Sequence, residues 1–471
     1  MVSLAQALKR FRAAGALEAW MKDEHGDFNI LGWTPHDAEG RVDLHYGYQS
    51  GLRFCETVDF HAPLPRAAGL RQSFDAAVSA LCALAGVSYY KTFVPKRIVV
   101  ESPPLSPSQL TFFRDLYLNG LGEFAVRNDL DLSDRAAFAC IAPPPPPGAA
   151  APAHEPLERR TAVLVGGGKD SLVSVEALRA ANEPMVLFAV NPKKPILDCA
   201  AASGLPFLKV TRTLDPKLFA LNETGAYNGH VPITAIVSFI AIAAAFVQGF
   251  DAVVLSNERS ANEATLEKDG VAVNHQFSKT SAAEADIARY VREHVSPTLD
   301  YFSLLRPLSE LHIAQIFGKT DRYDAAFTSC NRAFRLRAEA PSERWCCDCP
   351  KCRFTFLMLA TTLPQQRMIA IFGKNLLDDE SQLTGYEELT GLSGHKPWEC
   401  VGEIGESCAA VLRLAARPEW EGSLILRSLA PRLKPFAPRL EEEWRRLLTP
   451  SRDHSLPPRF ERILDAYLGA S

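Results

Sequence analysis

The sequence predicts an α/β fold with a central parallel sheet and helices on both faces of that sheet. Two observations favour this class. Short apolar runs of strand length recur after residue 161, and longer stretches with helical periodicity separate them, as expected for parallel strands joined by crossover helices. The predicted strands cover 162–165, 185–190, 207–210 and 252–255, and the predicted helices cover 172–181 and 233–247.

Composition and periodicity divide the chain into four segments. The N-terminal module is predicted as α+β, because 28–60 alternates apolar and polar residues around glycines and 74–84 has a helical pattern. No catalytic motif occurs in it. The predicted organisation is an N-terminal module at 1–142, a proline- and alanine-rich linker at 143–156, the α/β domain with a cysteine cluster at 157–375, and a helical region at 376–471.

The composition argues against several classes of function. The chain has 471 residues with 51 basic and 55 acidic side chains, and its net charge of −4 gives no electrostatic basis for a nucleic-acid partner. The longest apolar stretch, 233–247, is too short to span a bilayer, so a buried helix is expected there and no membrane insertion. Residues 9–23 predict an amphipathic helix in place of a signal peptide, and we expect a cytoplasmic protein. The sequence does not indicate an oligomeric state.

The first predicted strand of the α/β domain runs into three consecutive glycines, Gly166, Gly167 and Gly168, which are followed by Lys169, Asp170 and Ser171. Glycines let the backbone turn sharply, so that successive N–H groups can converge on an anion at the start of the next helix. The Ser171 hydroxyl can add a donor, and Asp170 can hold Mg²⁺ against phosphate oxygens. The spacing does not fit a Walker A loop, because Val163 and Asp170 stand where that loop needs glycine and serine or threonine.

The strand, glycine turn, Asp-Ser and helix resemble the PP-loop ATP pyrophosphatases. This resemblance implies that the domain at 157–375 binds ATP and Mg²⁺, cleaves ATP between the α and β phosphates, and adenylates a carboxylate or carbonyl oxygen. Gly167 to Ser171 match the family motif, whereas Gly166 stands where the family usually has serine. One hydroxyl contact to pyrophosphate is therefore missing. A glycine-rich turn without a ligand is the alternative.

A second polar segment follows the predicted strand at 252–255. Ser256, Asn257 and Glu258 come where that strand ends, and ligands of parallel sheets bind at the carboxyl ends of strands. The segment suits a polar ligand, and with Asp170 it gives Glu258 as a candidate for holding Mg²⁺. A capped loop entering a helix is the alternative.

Two histidines are candidates for acid–base chemistry near neutral pH. His275 lies in the polar stretch 274–279, in which Lys279 is a candidate phosphate ligand. His230 precedes the predicted buried helix, where it can meet a ligand at the helix N-terminus. Structural roles for both histidines remain open, since a lone histidine more often has one.

Five of the eleven cysteines fall within 330–352. Cys346, Cys349 and Cys352 form two successive C-x₂-C steps, and Cys330 completes the four thiolates that a tetrahedral structural zinc needs, which leaves Cys347 spare. Acid–base chemistry by two of these cysteines, with Cys330 and Cys346 as candidates, is a second interpretation. Buried cysteines without a ligand are a third, and the sequence leaves all three open.

The order of motifs along most of the chain resembles a more specific family. The motifs are the N-terminal module followed by 166–171, 229–232, 256–258, 274–276 and 345–352. They are similar to those of the ATP-dependent epimerases that act on UDP-N-acetylmuramoyl-L-alanyl-L-glutamate in bacterial peptidoglycan synthesis. The resemblance implies a UDP-linked muramoyl dipeptide as substrate, inversion of its terminal L-glutamate through an acyl-adenylate, and proton transfer by His230, His275 or the cysteines.

Two alternatives belong to other functional classes. One is adenylation without epimerisation, of the kind catalysed by 7-cyano-7-deazaguanine synthases or tRNA-thiolating enzymes, which would consume ATP only with a nitrogen or sulfur donor. The other is a zinc-stabilised nucleotide-binding protein, which would bind ATP without releasing pyrophosphate.

Overall fold

The computed structural model describes residues 25–143, 155–268, 271–334, 344–394 and 396–470. In chain order, the strands are β1 (Phe28–His36), β2 (Arg41–Tyr48), β3 (Arg53–Asp59), β4 (Arg97–Val100), β5 (Ala137–Cys140), β6 (Thr161–Leu164), β7 (Met185–Val190), β8 (Phe207–Thr213), β9 (Ala252–Leu255), β10 (Leu266–Lys268), β11 (Val271–Val273) and β12 (Asp300–Ser303).

The first nine α-helices are α1 (Ala68–Ala85), α2 (Val87–Tyr90), α3 (Pro107–Gly120), α4 (Gly122–Arg127), α5 (Lys169–Ala180), α6 (Lys194–Ser203), α7 (Pro216–Glu223), α8 (Ile233–Gln248) and α9 (Ser281–His294). The remaining helices are α10 (Glu310–Phe317), α11 (Pro350–Ala360), α12 (Gln365–Phe372), α13 (Leu383–Leu389), α14 (Ile404–Ala415), α15 (Leu424–Leu433), α16 (Ala437–Leu448) and α17 (Pro458–Gly469).

The described residues form two compact units, and each is assembled from segments that are separate in sequence. Unit 1 comprises the described parts of 1–159, 209–253 and 273–301. Unit 2 comprises those of 160–208, 254–272 and 302–471. Two segments from the middle of the chain therefore belong with the N-terminal part, whereas the sequence predicted domains of consecutive residues.

Unit 1 is built on a mixed sheet whose strand order is β8, β3, β2, β1, β4, β5. β1 pairs antiparallel with β2 and parallel with β4, and β3 pairs antiparallel with both β2 and β8. A buried ion pair joins β3 and β8, since Arg212 donates to both carboxylate oxygens of Glu56 at 2.7 and 3.0 Å. Helix α8, which is almost entirely apolar, packs against α1, and both helices contribute heavily to the core.

In unit 2, the strands β12, β9, β6 and β7 are neighbours in that order, and β6 pairs parallel with β7. Helix α5 follows β6 after residues 165–168 and packs against α10 and α17. From α10 a series of helical contacts continues through α11 and α14 to α15 and α16. The C-terminal helices are thereby connected to the elements that surround the glycine turn.

The α/β class and the helical C-terminal region are confirmed. Each predicted strand appears, with β8 longer than its prediction, and the predicted helix at 172–181 begins three residues earlier, at Lys169. The alternating segment 28–60 forms three strands, as its period of two predicted. The predicted helix at 9–23 and residues 144–154 of the predicted linker lie outside the described residues. In the part of the chain that the structure describes, no helix is long and apolar enough to cross a membrane.

Candidate functional site

The glycine turn connects the end of β6 to the start of α5 in unit 2. Gly167 has a φ of +81°, a backbone conformation that side chains with a Cβ rarely adopt, and Gly168 is the N-cap of α5. The carbonyl of Gly167 accepts a hydrogen bond from the Thr328 N–H at 2.9 Å. Space around Gly166 is open, since a Cβ built there would meet no atom within 4 Å. The turn thus places three small residues before the N-terminus of a twelve-residue helix, where an anion is favoured.

Lys169, the first residue of α5, is only 2% exposed and makes two close ion pairs, one with Asp170 and one with Glu310. Burial alone would lower the pKa of this ammonium group, but the two carboxylates reverse that effect and raise it. Lys169 is therefore a buried, fully charged cation next to the glycine turn. Because Lys351 approaches Glu310 at 3.5 Å, the Glu310 carboxylate lies between two lysines, and its pKa falls to about 2 against the effect of burial.

Two further buried carboxyl groups lie close enough to this cluster to interact electrostatically with it. Burial, then the charge of Glu310, raises the pKa of Glu258 to about 7. The pKa of Glu406 is raised to about 8, mainly by burial and then by nearby carboxylates that include Glu310 and Glu258. The charges of Glu258 and Glu406 therefore depend on pH near neutrality, whereas Glu310 stays ionised there.

Hydrogen bonds fix the positions of Glu258 and Glu406, the two carboxyl groups whose pKa is raised. Glu258 accepts from the Ser260 hydroxyl at 2.8 Å and from the Ala261 N–H at 3.0 Å. Glu406 accepts from the Leu311 N–H at 3.2 Å and from the Glu403 N–H at 2.8 Å. Since Leu311 follows Glu310 in α10, the Glu406 contact joins the C-terminal helical region to the helix that carries Glu310.

The segment after β9 lies next to helix α5, as its position after a neighbouring strand predicts. The hydroxyl groups of Ser256 and Ser174 are 2.7 Å apart, and the Asn257 amide donates to the Ser303 hydroxyl at 3.0 Å. Ser171, in the first turn of α5, donates to the Gly168 carbonyl at 3.2 Å. The structure therefore brings residues 166–171 and 256–258 together in unit 2.

Three residues of this cluster were not identified from the sequence. Glu310 follows Ser309, whose side chain accepts from the His312 N–H, so the local pattern signals only a helix start. Lys351 lies between Cys349 and Cys352, and that pattern indicates a metal site and not a contact with a distant carboxylate. Glu406 belongs to a capping box with Glu403 in the helical region predicted at 376–471, so its local pattern also signals only a helix start. No local spacing connects these positions, because long-range packing brings them together.

His230 and His275 both belong to unit 1, whereas the glycine turn belongs to unit 2. His230 Nδ1 lies 3.5 Å from a carboxylate oxygen of Glu123. Burial lowers the pKa of His230, and this effect, with the nearby charges of His275 and Lys279, outweighs the Glu123 carboxylate, which raises it. The two histidines thus form one cluster with Glu123 and Lys279, and His230 favours the neutral form.

The sulfur atoms of Cys330, Cys346, Cys349 and Cys352 all lie within 4.8 Å of one another. Cys349 is the N-cap of α11 and Cys352 lies in its first turn, while Cys330 precedes a short 3₁₀ helix. Cys347 does not join them, since its sulfur atom contacts the Phe372 carbonyl at 3.2 Å. Among the described residues, these four cysteines are the one set of three or more cysteine, histidine or acidic side chains that converges closely enough to share a metal ion.

Unit 2 thus defines an α/β protein in which a glycine-rich turn at a helix N-terminus adjoins a buried cluster of lysines and carboxylates. Comparison with known proteins identifies the family. The family model described as the MurL N-terminal domain matches residues 21–304, and the one described as the MurL C-terminal domain matches residues 326–443. The chain belongs to the MurL family.

Curated relatives carry one name, UDP-N-acetyl-alpha-D-muramoyl-L-alanyl-L-glutamate epimerase. The protein of Xanthomonas oryzae pv. oryzae (strain MAFF 311018) is 42% identical over 453 residues, which cover 95% of this chain and 99% of that protein. The protein of Micromonospora sp. (strain ATCC 39149 / NRRL 15099 / SCC 1413) is 43% identical over 88% of this chain and 91% of its own length. A relative from Salinispora tropica is 47% identical over 74% of each chain.

Proposed function

We propose that this chain is an ATP-dependent epimerase in peptidoglycan precursor synthesis. Its substrate would be UDP-N-acetylmuramoyl-L-alanyl-L-glutamate, whose terminal L-glutamate it converts to D-glutamate with release of AMP and pyrophosphate. The observation that carries this proposal is the similarity, over 95% of the chain, to a protein named for that epimerisation. Assignment to the PP-loop class and a location in the cytoplasm are parts of the same proposal.

The chemistry gives a reason for consuming ATP. Removal of the Cα proton from the terminal glutamate of the dipeptide places a second negative charge next to an ionised carboxylate. Attack of that carboxylate on the α-phosphorus of ATP releases pyrophosphate and forms a mixed anhydride with AMP. This acyl group delocalises the Cα carbanion as an enolate, which nearby donors stabilise. Reprotonation on the opposite face gives the D centre, and attack of water on the anhydride then releases AMP.

The cluster in unit 2 suits the phosphate end of ATP. We assign the β and γ phosphates to residues 166–171, where the helix N-terminus and the Lys169 ammonium both favour anions. Mg²⁺ is usually held by one or two carboxylates together with substrate phosphates, and Asp170 and Glu258 provide that number. When bound, the ion would neutralise charge on the leaving pyrophosphate. Ser256 and Asn257 line the same region as polar contacts for the nucleotide.

The groups that remove and return the proton were predicted to be His230, His275, Cys330 or Cys346. The four sulfur atoms in unit 2 converge on one point, which does not suit an acid and a base on opposite faces of a carbon. His230 and His275 stay our candidates for the transfer, because a neutral imidazole such as that of His230 can accept a proton. Replacement of a proton-transferring histidine by glutamine should preserve pyrophosphate release and abolish the change of configuration.

The test combines purified protein with Mg²⁺, ATP and the UDP-linked muramoyl dipeptide. Nucleotide products are separated by chromatography, and the configuration of glutamate is determined after acid hydrolysis. The proposal predicts D-glutamate in parallel with AMP and pyrophosphate. Pyrophosphate without D-glutamate would support adenylation of another acceptor, and ADP with phosphate would contradict the acyl-adenylate.

A further inference from the structure

The geometry of the four cysteines distinguishes between kinds of metal centre. Tetrahedral Zn²⁺ with bonds to sulfur of about 2.3 Å places its ligand sulfur atoms about 3.8 Å apart. The sulfur atom of Cys352 lies 3.8 Å from that of Cys346 and 3.5 Å from that of Cys349, and Cys330 falls within the same 4.8 Å limit. A cluster with several irons places inorganic sulfide between the cysteines and needs a wider arrangement. The spacing fits a single ion.

We propose that Cys330, Cys346, Cys349 and Cys352 bind one Zn²⁺ ion in a closed structural site. Four thiolates complete a tetrahedron and leave no position for water or substrate, as in zinc sites that support folding. Three of the four side chains are buried, with Cys346 partly accessible, so the ion is shielded from solvent. Arg332 lies close enough to Cys346 and Cys349 to interact with their charges, and it offsets part of the net negative charge of a zinc ion with four thiolates.

This zinc ion would also position the glycine turn, because one cysteine segment contacts that turn and the other contacts Glu310, the partner of Lys169. Thr328 accepts a hydrogen bond from the Cys330 N–H at 3.1 Å through its hydroxyl, and donates through its own N–H to the Gly167 carbonyl. On the second segment, Lys351 lies between Cys349 and Cys352 and approaches Glu310, the partner of Lys169. Zinc therefore links two supports of the turn, and its effect on ATP binding rests on the proposed function.

Metal analysis tests the site without reference to catalysis. We expect protein purified without added chelator to contain about one zinc per chain by plasma mass spectrometry. Cys352→Ser should lose most of this zinc, whereas Cys347→Ser should retain it. Cys347 is a matched control, because it is a buried neighbour whose sulfur atom faces the Phe372 carbonyl and not the other four.

If Cys352→Ser is insoluble, a mercurial reagent that displaces thiolate ligands can be added to Cys347→Ser, with a colorimetric indicator of zinc release. One equivalent released as four thiols react supports the site. A chain that contains iron and sulfide, or that contains no metal and still folds stably with all four thiols reactive, would overturn it.

Hydrogen exchange tests the connection to the glycine turn. We compare zinc-loaded and zinc-depleted wild-type protein, and we follow peptides that contain residues 163–171 and 326–334. Loss of zinc should increase exchange in both peptides by about tenfold, since local opening becomes easier, and re-addition of zinc should reverse the change. A peptide from β2 in unit 1 serves as the internal control. Unchanged exchange at 163–171 in depleted protein would overturn the positioning role, whether or not the chain binds ATP.

Discussion

Lys169 shows how the charges of single residues define the candidate site. Its ammonium group is almost inaccessible to solvent and pairs with the carboxylates of Asp170 and Glu310. A buried charge is tolerated only when it is paired, so each of these groups depends on the others. When ATP binds, its phosphates would add negative charge to a cluster that already holds several carboxyl groups. Lys169, Lys351 and Mg²⁺ would then provide the compensating positive charge.

Lys169→Met tests this arrangement. Removal of one partner from a buried ion pair typically costs about 3–5 kcal/mol, because the remaining charge is left without compensation. We expect the single variant to lose stability on that scale and to release no pyrophosphate. The double variant K169M/E310Q should recover part of the stability in urea unfolding, since it removes both charges of the most buried pair, yet remain inactive. Recovery of pyrophosphate release by the double variant would contradict a role for Lys169 in phosphate binding.

Glu406 predicts a pH dependence of stability. Burial and neighbouring carboxylates raise the pKa of Glu406 to about 8, well above the ordinary value of 4.5. The folded chain therefore keeps a proton that the unfolded chain releases. Binding of this proton stabilises the folded chain. The stabilisation is fully present below the pKa of Glu406 in the unfolded chain, and it is lost as the pH rises through the pKa of Glu406 in the folded chain.

Between pH 6 and 8 the unfolding free energy of the wild type should therefore fall, by up to about 1.4 kcal/mol per pH unit from this group. Glu406→Gln cannot ionise and should show a shallower slope in denaturant titrations. Glu441→Gln, at an exposed position paired with Arg413, should keep the wild-type slope. Equal slopes for all three proteins would show that Glu406 titrates normally.

At the scale of the element, the glycine turn and helix α5 were predictable because their signals are local. Consecutive glycines follow an apolar strand and precede Asp-Ser. This pattern predicts a turn that leads into a helix. The same holds for β7, β9 and the buried helix α8, whose bounds match the sequence pattern closely. The contributions of Glu310, Lys351 and Glu406 were not predictable, since each results from the packing of helices that are distant in sequence.

Two adjacent glycines give a matched test of the turn. Gly167 has a positive φ, so Gly167→Ala should cost about 1–2 kcal/mol and weaken ATP binding. Gly166 does not have a positive φ and faces open space, so Gly166→Ala should leave stability within about 0.5 kcal/mol of the wild type. Thermal unfolding and calorimetric titration with ATP measure both effects. Equal losses in the two variants would argue against the described conformation of the turn.

At the scale of the whole molecule, the sequence predicted four consecutive segments, whereas each described unit combines distant parts of the chain. Helix α8 illustrates the reason. Its apolar composition correctly predicts burial, but composition does not identify the partner, which is α1 in the N-terminal part. Strand β8 likewise pairs with β3 through backbone hydrogen bonds and the Glu56–Arg212 ion pair. Linear composition does not encode such pairings.

Deletion of residues 1–142 tests this organisation. If the N-terminal module were independent, it could be removed without loss of folding of the rest. Because α8 packs against α1 in unit 1, we expect the deletion to expose a large apolar surface on α8. We expect the truncated chain to aggregate during expression, as judged by size-exclusion chromatography. A truncated chain that is soluble, with a cooperative unfolding transition, would contradict the interdependence of these segments.

The most direct test of the central proposal follows the Cα proton of glutamate in D₂O. The substrate is incubated with the protein and Mg²⁺, either with ATP or with an ATP analogue that has a non-cleavable bond between its α and β phosphates. Activation through an acyl-adenylate predicts D-glutamate with deuterium at Cα, formed only with ATP and accompanied by AMP and pyrophosphate. Formation of deuterated D-glutamate with the analogue, or without any nucleotide, would contradict activation through an acyl-adenylate.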